Sequence, residues 1–225
     1  MKGNTLRNDL LRLYFNATPI ANVADNAVTA PLTNLHVSLH TAYPGLAGTQ
    51  ATSEIAYTGY ARVAVARTTG GWTVTTNSVS PVAAVTFGQM TAGAGGLATH
   101  AMVGEAASGA TKQAYNLVLG SRLGPFTAVA VGDIVTIPGL TGVAVNDRII
   151  FHAVDGSTLP VGITDGTSYF VISVATNDIT FSLTQGGAAV DVTTAGDGLA
   201  YRSTPINVVN GVTPQLTTAL AIIEE

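Results

Sequence analysis

Ile179, Phe181 and Leu183 alternate with Thr180, Ser182 and Thr184, and the same period of two recurs in short runs along the chain. Side chains alternate across a strand but return to one face of a helix only every three or four residues. Runs of this kind therefore make half-buried strands. Leu35, Val37 and Leu39 alternate with His36, Ser38 and His40, and Tyr43-Pro44-Gly45 closes that strand with a turn. Residues 60–67 predict a second strand with Ala61, Val63 and Val65 on one face. Gly70-Gly71 reads as a hairpin turn, with 72–75 as the returning strand. Further strands are expected at 85–87, 99–103, 115–119, 145–153, 169–174, 189–192 and 220–223, with Asn177-Asp178 as a two-residue turn. Short strands at such close spacing predict a mainly β chain, an antiparallel β-sandwich or barrel.

One segment keeps the helical period. Leu6, Leu10, Leu13 and Tyr14 fall at i, i+4, i+7 and i+8, Asn4 or Thr5 can cap the start, and Pro19 lies beyond the end. A helix this short is marginal alone, so its apolar face must dock on its own domain or on a neighbouring subunit. Residues 17–33 read as an extended arm or loop. The apolar stretch 10–15 is interrupted by Arg12 and is too short for the core of a secretion signal.

Composition narrows the function. The chain is 47% hydrophobic but only 10% charged, against roughly 25% charged in ordinary soluble domains. Without a run of about 20 apolar residues, no membrane-spanning helix is expected. Net charge is -4 with Lys2 and Lys112 as the only lysines, so no basic patch for nucleic acid is expected. The absence of cysteine removes disulfides, thiolate metal sites and Cys nucleophiles.

Candidate chemistry is sparse. His36 and His40 share a strand, where four residues span about 13 Å, too far for one metal ion, so they read as solvated or interface histidines. His100 and His152 have no ligand-type spacing around them. Asp133, Asp147, Asp155, Asp165, Asp178 and Asp197 border Gly, Asn or Thr, where turn chemistry accounts for them. No calcium-loop or G-x-S-x-G motif occurs, and Gly93 to Gly96 is no dinucleotide fingerprint. Trp72 and Tyr60 offer a sugar-stacking platform, against the plainer reading of Trp72 as core packing. No enzyme activity, cofactor or metal is expected.

Four motifs carry a resemblance: His40-Thr41-Ala42-Tyr43-Pro44-Gly45, Tyr57-Thr58-Gly59-Tyr60-Ala61-Arg62-Val63, Gly71-Trp72-Thr73-Val74 and Asn210-Gly211-Val212-Thr213-Pro214. Together they resemble a family of small tailed-bacteriophage virion proteins, labelled tail-fibre or minor structural proteins. The resemblance covers roughly 35–123 and 204–225. Short members pass almost directly from the first span to the tail. Here 127–203 intervenes, with Gly166-Thr167-Ser168-Tyr169-Phe170-Val171-Ile172 and Gly186 to Val190 similar to another phage β-module. The expected organisation is an N-terminal helix and arm (1–33), a β-sandwich core domain (34–126 plus 204–225) and an inserted small β-domain (127–203).

A surface of Thr, Ser, Asn, Ala and Gly packs against identical neighbours without burying charge. The resemblance and this composition imply a virion structural protein, assembled in the host cytoplasm. The reading is a capsid decoration (cement) or tail-attached subunit, leaning to decoration for want of a fibrous repeat or coiled-coil heptad, with a receptor- or glycan-binding tail-fibre module as the alternative. The expected partners are further copies of itself, as a trimer or other ring, and the major capsid or tail protein. Neither nucleic acid nor membrane is expected, and a host surface glycan enters only with the alternative. Leu6, Leu10, Leu13 and Tyr14 are the expected subunit contacts of the arm, and Trp72 and Phe87 the expected core packing.

Overall fold

The computed structural model describes residues 4–20, 31–154, 156–219 and 221–223. Most of the expected arm, at 21–30, lies outside them, as does Leu220 of the last expected strand. The chain is mainly β, with one helix among the described residues, α1 (Asn4–Asn16). Its contacts divide it into two compact units, Met1–Leu117 with Asn207–Glu225 (unit 1), and Val118–Ile206 (unit 2).

Unit 1 contains β1 (Asn34–His40), β2 (Val63–Ala66), β3 (Trp72–Thr75), β4 (Ser78–Pro81), β5 (Val85–Thr86), β6 (Gly96–Ala98), β7 (His100–Gly104) and all but the last residue of β8 (Gln113–Val118). Strand β1 is central in a sheet of order β2-β1-β7-β8, antiparallel to both β2 and β7. Its burial shows why: only Asn34 and His36 are not buried.

The turn at Gly70-Gly71 departs from expectation. Strands β2 and β3 are not a hairpin, because β3 pairs with β4 in another sheet. The amides of Gly71 and Trp72 both donate to Thr68 O at 3.0 Å, and a Cβ on Gly71 would lie 2.0 Å from Ala66 O. Only glycine lets the chain double back this tightly and drop Trp72 into the core. Strand β4 carried no turn signal, since the turn before it places Thr76, not glycine, at φ 53°. The expected strand 60–67 is also shorter, because Arg62 turns inward and leaves Ala61 exposed.

Unit 2 contains β9 (Gly120–Val129), β10 (Ile134–Thr136), β11 (Arg148–His152), β12 (Ser168–Ala175), β13 (Asp178–Ser182) and β14 (Gly196–Ser203). They close an antiparallel barrel of order β10-β13-β12-β11-β14-β9. The inward residues of the alternating strands fill it: Phe126, Phe151, Tyr169 and Phe181 stand at centroid distances of 4.9 to 6.0 Å along their contacts. Ile163 and Val192, which lie in loops, add to this core. The expected strand 189–192 is thus a loop that still supplies a core residue. The β12–β13 turn is Thr176-Asn177, one residue earlier than expected, with Thr176 at φ 56°.

The barrel's two ends differ. The chain enters and leaves at one: Ser203 pairs with Gly120, and the Thr204 amide donates to Leu119 O at 2.7 Å. The alternating strand directions place loops 137–147 and 176–177 at this same end. Loops 130–133, 153–167 and 183–195 lie at the other.

The C-terminal strands β15 (Ile206–Val208), β16 (Gln215–Leu216) and β17 (Ile222–Ile223) pair with β6, β5 and β4 respectively. A small apolar cavity of about 20 Å³ remains where Val37, Ala101 and Val103 face Trp72, Val79 and Ile222. It is large enough for one water but offers that water no polar lining, so it is a packing defect rather than a ligand pocket.

Candidate functional site

Two motifs of unit 1 meet in one buried polar network, the first through His40 and the second through Tyr60 and Arg62. Arg62 is 8% exposed and sits at its centre. Its Nε and Nη2 donate to the two carboxylate oxygens of Glu54 at 2.8 Å each, the planar two-bond geometry that suits a guanidinium. Its remaining protons go to Gln50 Oε1 (3.1 Å), Ala106 O (3.1 Å) and Gly109 O (2.8 Å). Tyr60 Oη donates to Glu54 at 2.9 Å and accepts from the Leu39 amide at 3.1 Å. A buried charge is tolerated only when paired and fully hydrogen-bonded, which this arrangement achieves.

A second branch runs through β1. Gln50 Nε2 donates to His36 O at 2.8 Å and reaches Ser38 Oγ at 3.4 Å. Ser38 Oγ lies 2.8 Å from His40 Nε2, and His40 Nδ1 lies 2.8 Å from Thr52 O. The carbonyl can only accept, so Nδ1 carries the proton and Nε2 accepts from Ser38. A serine, a histidine base and an orienting acceptor are the parts of an activated nucleophile. Here Ser38 and His40 are both 0% exposed, so no substrate reaches the hydroxyl, and the pair acts as a hydrogen-bond staple. Burial also lowers the His40 pKa from its ordinary value, against weaker raising by the Thr52 bond and Glu54. His36 is lowered too, by burial and then by Arg62. The histidines on β1 are thus structural groups, His40 fully enclosed rather than solvated.

The other motif residues support the same scaffold. Gly59 has φ 102°, and a Cβ there would lie 2.2 Å from Gln89 O. Tyr57 Oη donates to Gly88 O at 2.9 Å. The tail motif returns to this strip: the Gly211 amide donates to Met90 O, the Met90 amide to Val212 O and the Phe87 amide to Pro214 O. Residues more than a hundred positions apart in sequence are thereby sewn together by backbone bonds.

Helix α1 packs on unit 1 itself. Leu11 and Phe15 are its fully buried residues. Phe15 meets Trp72 edge-on at 4.9 Å and Tyr115 at 5.4 Å. Tyr14 Oη donates to Glu105 at 3.3 Å, and its ring meets Tyr115 at 5.8 Å. Arg67 closes the helix by donating to the carbonyls of Leu13 and Tyr14, a cation at the negative end of the helix dipole. The expected contact residues divide accordingly. Tyr14 is engaged within its own unit, Leu10 and Leu13 are half-buried, and Leu6 is 43% exposed. Leu11 and Phe15 belonged to the same apolar stretch, but they lie on a face rotated from the one the period selected.

Trp72 and Phe87 are each 2% exposed. Trp72 is covered by Phe15, and Tyr60 stacks on Phe87 at 6.0 Å. Trp72 therefore offers no open face to a sugar ring. In unit 2, His152 Nδ1 lies 2.8 Å from Asp165 Oδ1 and meets Tyr201 edge-on at 5.7 Å. Among the described residues, no three His, Asp or Glu side chains converge as a metal-binding group.

Residues 3–140 match the family model described as Podophage GP4 fiber I protein gp80. The chain belongs to this family. The matched span runs from α1 through the whole network to β10. No curated protein and no solved structure matches the chain. The protein is thus a phage virion protein of fibre type.

Proposed function

We propose that the protein is a tail-fibre subunit of a podophage virion, attached to the particle through unit 1 and making its outward contact through unit 2. The match of 3–140 to a fibre family carries this reading and favours the tail over the capsid shell. Charge supports the division of labour. Unit 1 holds as many basic as acidic residues, so the whole formal charge of -4 resides on unit 2, with Arg122, Arg148 and Arg202 against seven aspartates. A surface without net charge buries against neighbours at little electrostatic cost.

Further copies of the chain are its first partners. On α1 the partly exposed Leu6, Leu10 and Leu13 follow the 4-3 spacing of a coiled-coil seam. Asp9 flanks that seam on one side and Arg7 on the other. Parallel helices around an axis set one flank against the other and bring unlike charges together. Quantitative mass spectrometry of purified particles tests the reading. A few copies per virion, in a fixed ratio to a tail protein, are expected. Hundreds of copies in ratio to the capsid protein would return the protein to the decoration class.

A further inference from the structure

The barrel end opposite its chain termini differs in kind from the rest of unit 2. Val131, Val161 and Leu183 are 83%, 61% and 62% exposed, one in each of the three loops of that end. Val129 and Val154 are exposed beside them. Of the exposed large apolar side chains described in unit 2, only Val145 and Val174 belong to the other half. Single exposed valines are ordinary, but their concentration at one end is not.

The surface is also preformed. Asp133 accepts from the Val192 amide at 2.8 Å, Asp197 from the Thr158 amide at 3.2 Å, and Thr194 Oγ1 from the Val161 amide at 2.9 Å. The Thr193 amide donates to Val161 O at 3.1 Å. The three loops therefore hold one another, and a partner need not pay to order them.

Charge identifies the partner. Asp133, Asp165, Asp191 and Asp197 all belong to this end, and among the described residues no lysine or arginine does. The three arginines of unit 2 lie at the termini end, Arg202 paired there with Asp147 at 3.0 Å. An acidic rim around apolar side chains repels phosphate-bearing or acidic polysaccharides and favours a surface that presents ammonium or guanidinium groups beside apolar ones.

We propose that this end of the barrel is a docking surface for a basic, partly apolar protein segment, with Val131, Val161 and Leu183 as its apolar contacts. The proposal rests on unit 2 being the contact-making part of the fibre subunit. It can fail while the copy number in particles still upholds that reading.

The test uses the full chain and two probes, a short amphipathic Lys/Leu peptide and lipopolysaccharide micelles, with a Lys/Ser peptide as control. The Lys/Leu peptide is expected to bind about tenfold or more tighter than the Lys/Ser peptide. That advantage should disappear in Val131→Ser/Val161→Ser/Leu183→Ser. Asp191→Lys, at an exposed position, should weaken binding of both peptides, most clearly at low salt. All variants should melt with the parent. Equal binding of the two peptides, or binding indifferent to the triple variant, overturns the proposal. So does lipopolysaccharide binding that the triple variant abolishes, because it gives the surface to a glycan.

Discussion

Glu54→Ala removes the one counter-charge of a buried guanidinium. In the parent, Glu54 accepts two bonds from Arg62 at 2.8 Å and one from Tyr60 at 2.9 Å. The side chains of Arg62 and Glu54 are 2% and 17% exposed. After the change Arg62 keeps Gln50, Ala106 O and Gly109 O, which are dipoles and not a charge. Breaking such a pair from one side costs about 3–5 kcal/mol, and the surviving dipoles put this case near about 3. At roughly 3 °C per kcal/mol for a unit of this size, unit 1 should melt about 10 °C lower. The assay is thermal unfolding followed by near-ultraviolet circular dichroism, where Trp72 reports on unit 1 alone. Glu54→Leu/Arg62→Met, which removes both charges, should recover at least half of the loss. A fall of less than about 3 °C in Glu54→Ala, or a double variant worse than the single, would show that the network does not hold unit 1 together.

Acidification should destabilise unit 1 through His40. Its pKa is lowered in the folded state, so the unfolded chain binds the extra proton first. Stability is then complete above the ordinary histidine value of about 6.5 and declines as pH falls below it, with a slope of up to about 1.4 kcal/mol per pH unit. Melting temperatures across pH 5–8 check this, and His40→Gln should flatten the profile. In unit 2, Phe151→Ala empties the centre of the aromatic cluster and should cost about 3–5 kcal/mol, read as a lower urea midpoint for the barrel. Trp72→Phe should cost less than about 1.5 kcal/mol, since the Trp72 Nε1 proton has no hydrogen-bond partner to lose. Arg67→Ala should loosen α1, seen as faster amide exchange around Leu13 and Tyr14 with the sheet amides unchanged.

Strand content was legible because alternation is a local signal. The runs at 35–39 and 179–183 correspond to β1 and β13, and the sequence pattern supports a mainly β, antiparallel fold with one short helix. Partnership was less legible, because it depends on which sheet a strand joins. Gly70-Gly71 has hairpin chemistry, yet it serves a change of sheet that only the close approach to Ala66 O reveals. Strand β14 was hidden by Gly196 and Gly198, which look like turn residues but lie in a strand because Thr158, Pro160 and His152 press against them. The polar network was invisible in another way. Glu54, Gln50 and Ser38 belong to no motif together, and an isolated Arg62 in an apolar run looks like the exposed face of a strand. Only long-range packing turns that arginine inward. Helix α1 was legible, but the face it docks on unit 1 was not: Leu11 and Phe15 take that surface, the ring meeting Trp72 and Tyr115, while the Leu6, Leu10 and Leu13 stripe stays partly exposed.

The position of the protein on the particle tests the central claim most directly. A peptide tag inserted after Gly186, in an exposed turn whose glycine would meet no neighbouring atom with an added Cβ, can be labelled with antibody and imaged on intact virions by electron microscopy. Label confined to the tail, absent from the shell, is the expected result. Label spread over the capsid, or particles that carry none while the tagged protein remains in the lysate, would contradict a fibre subunit.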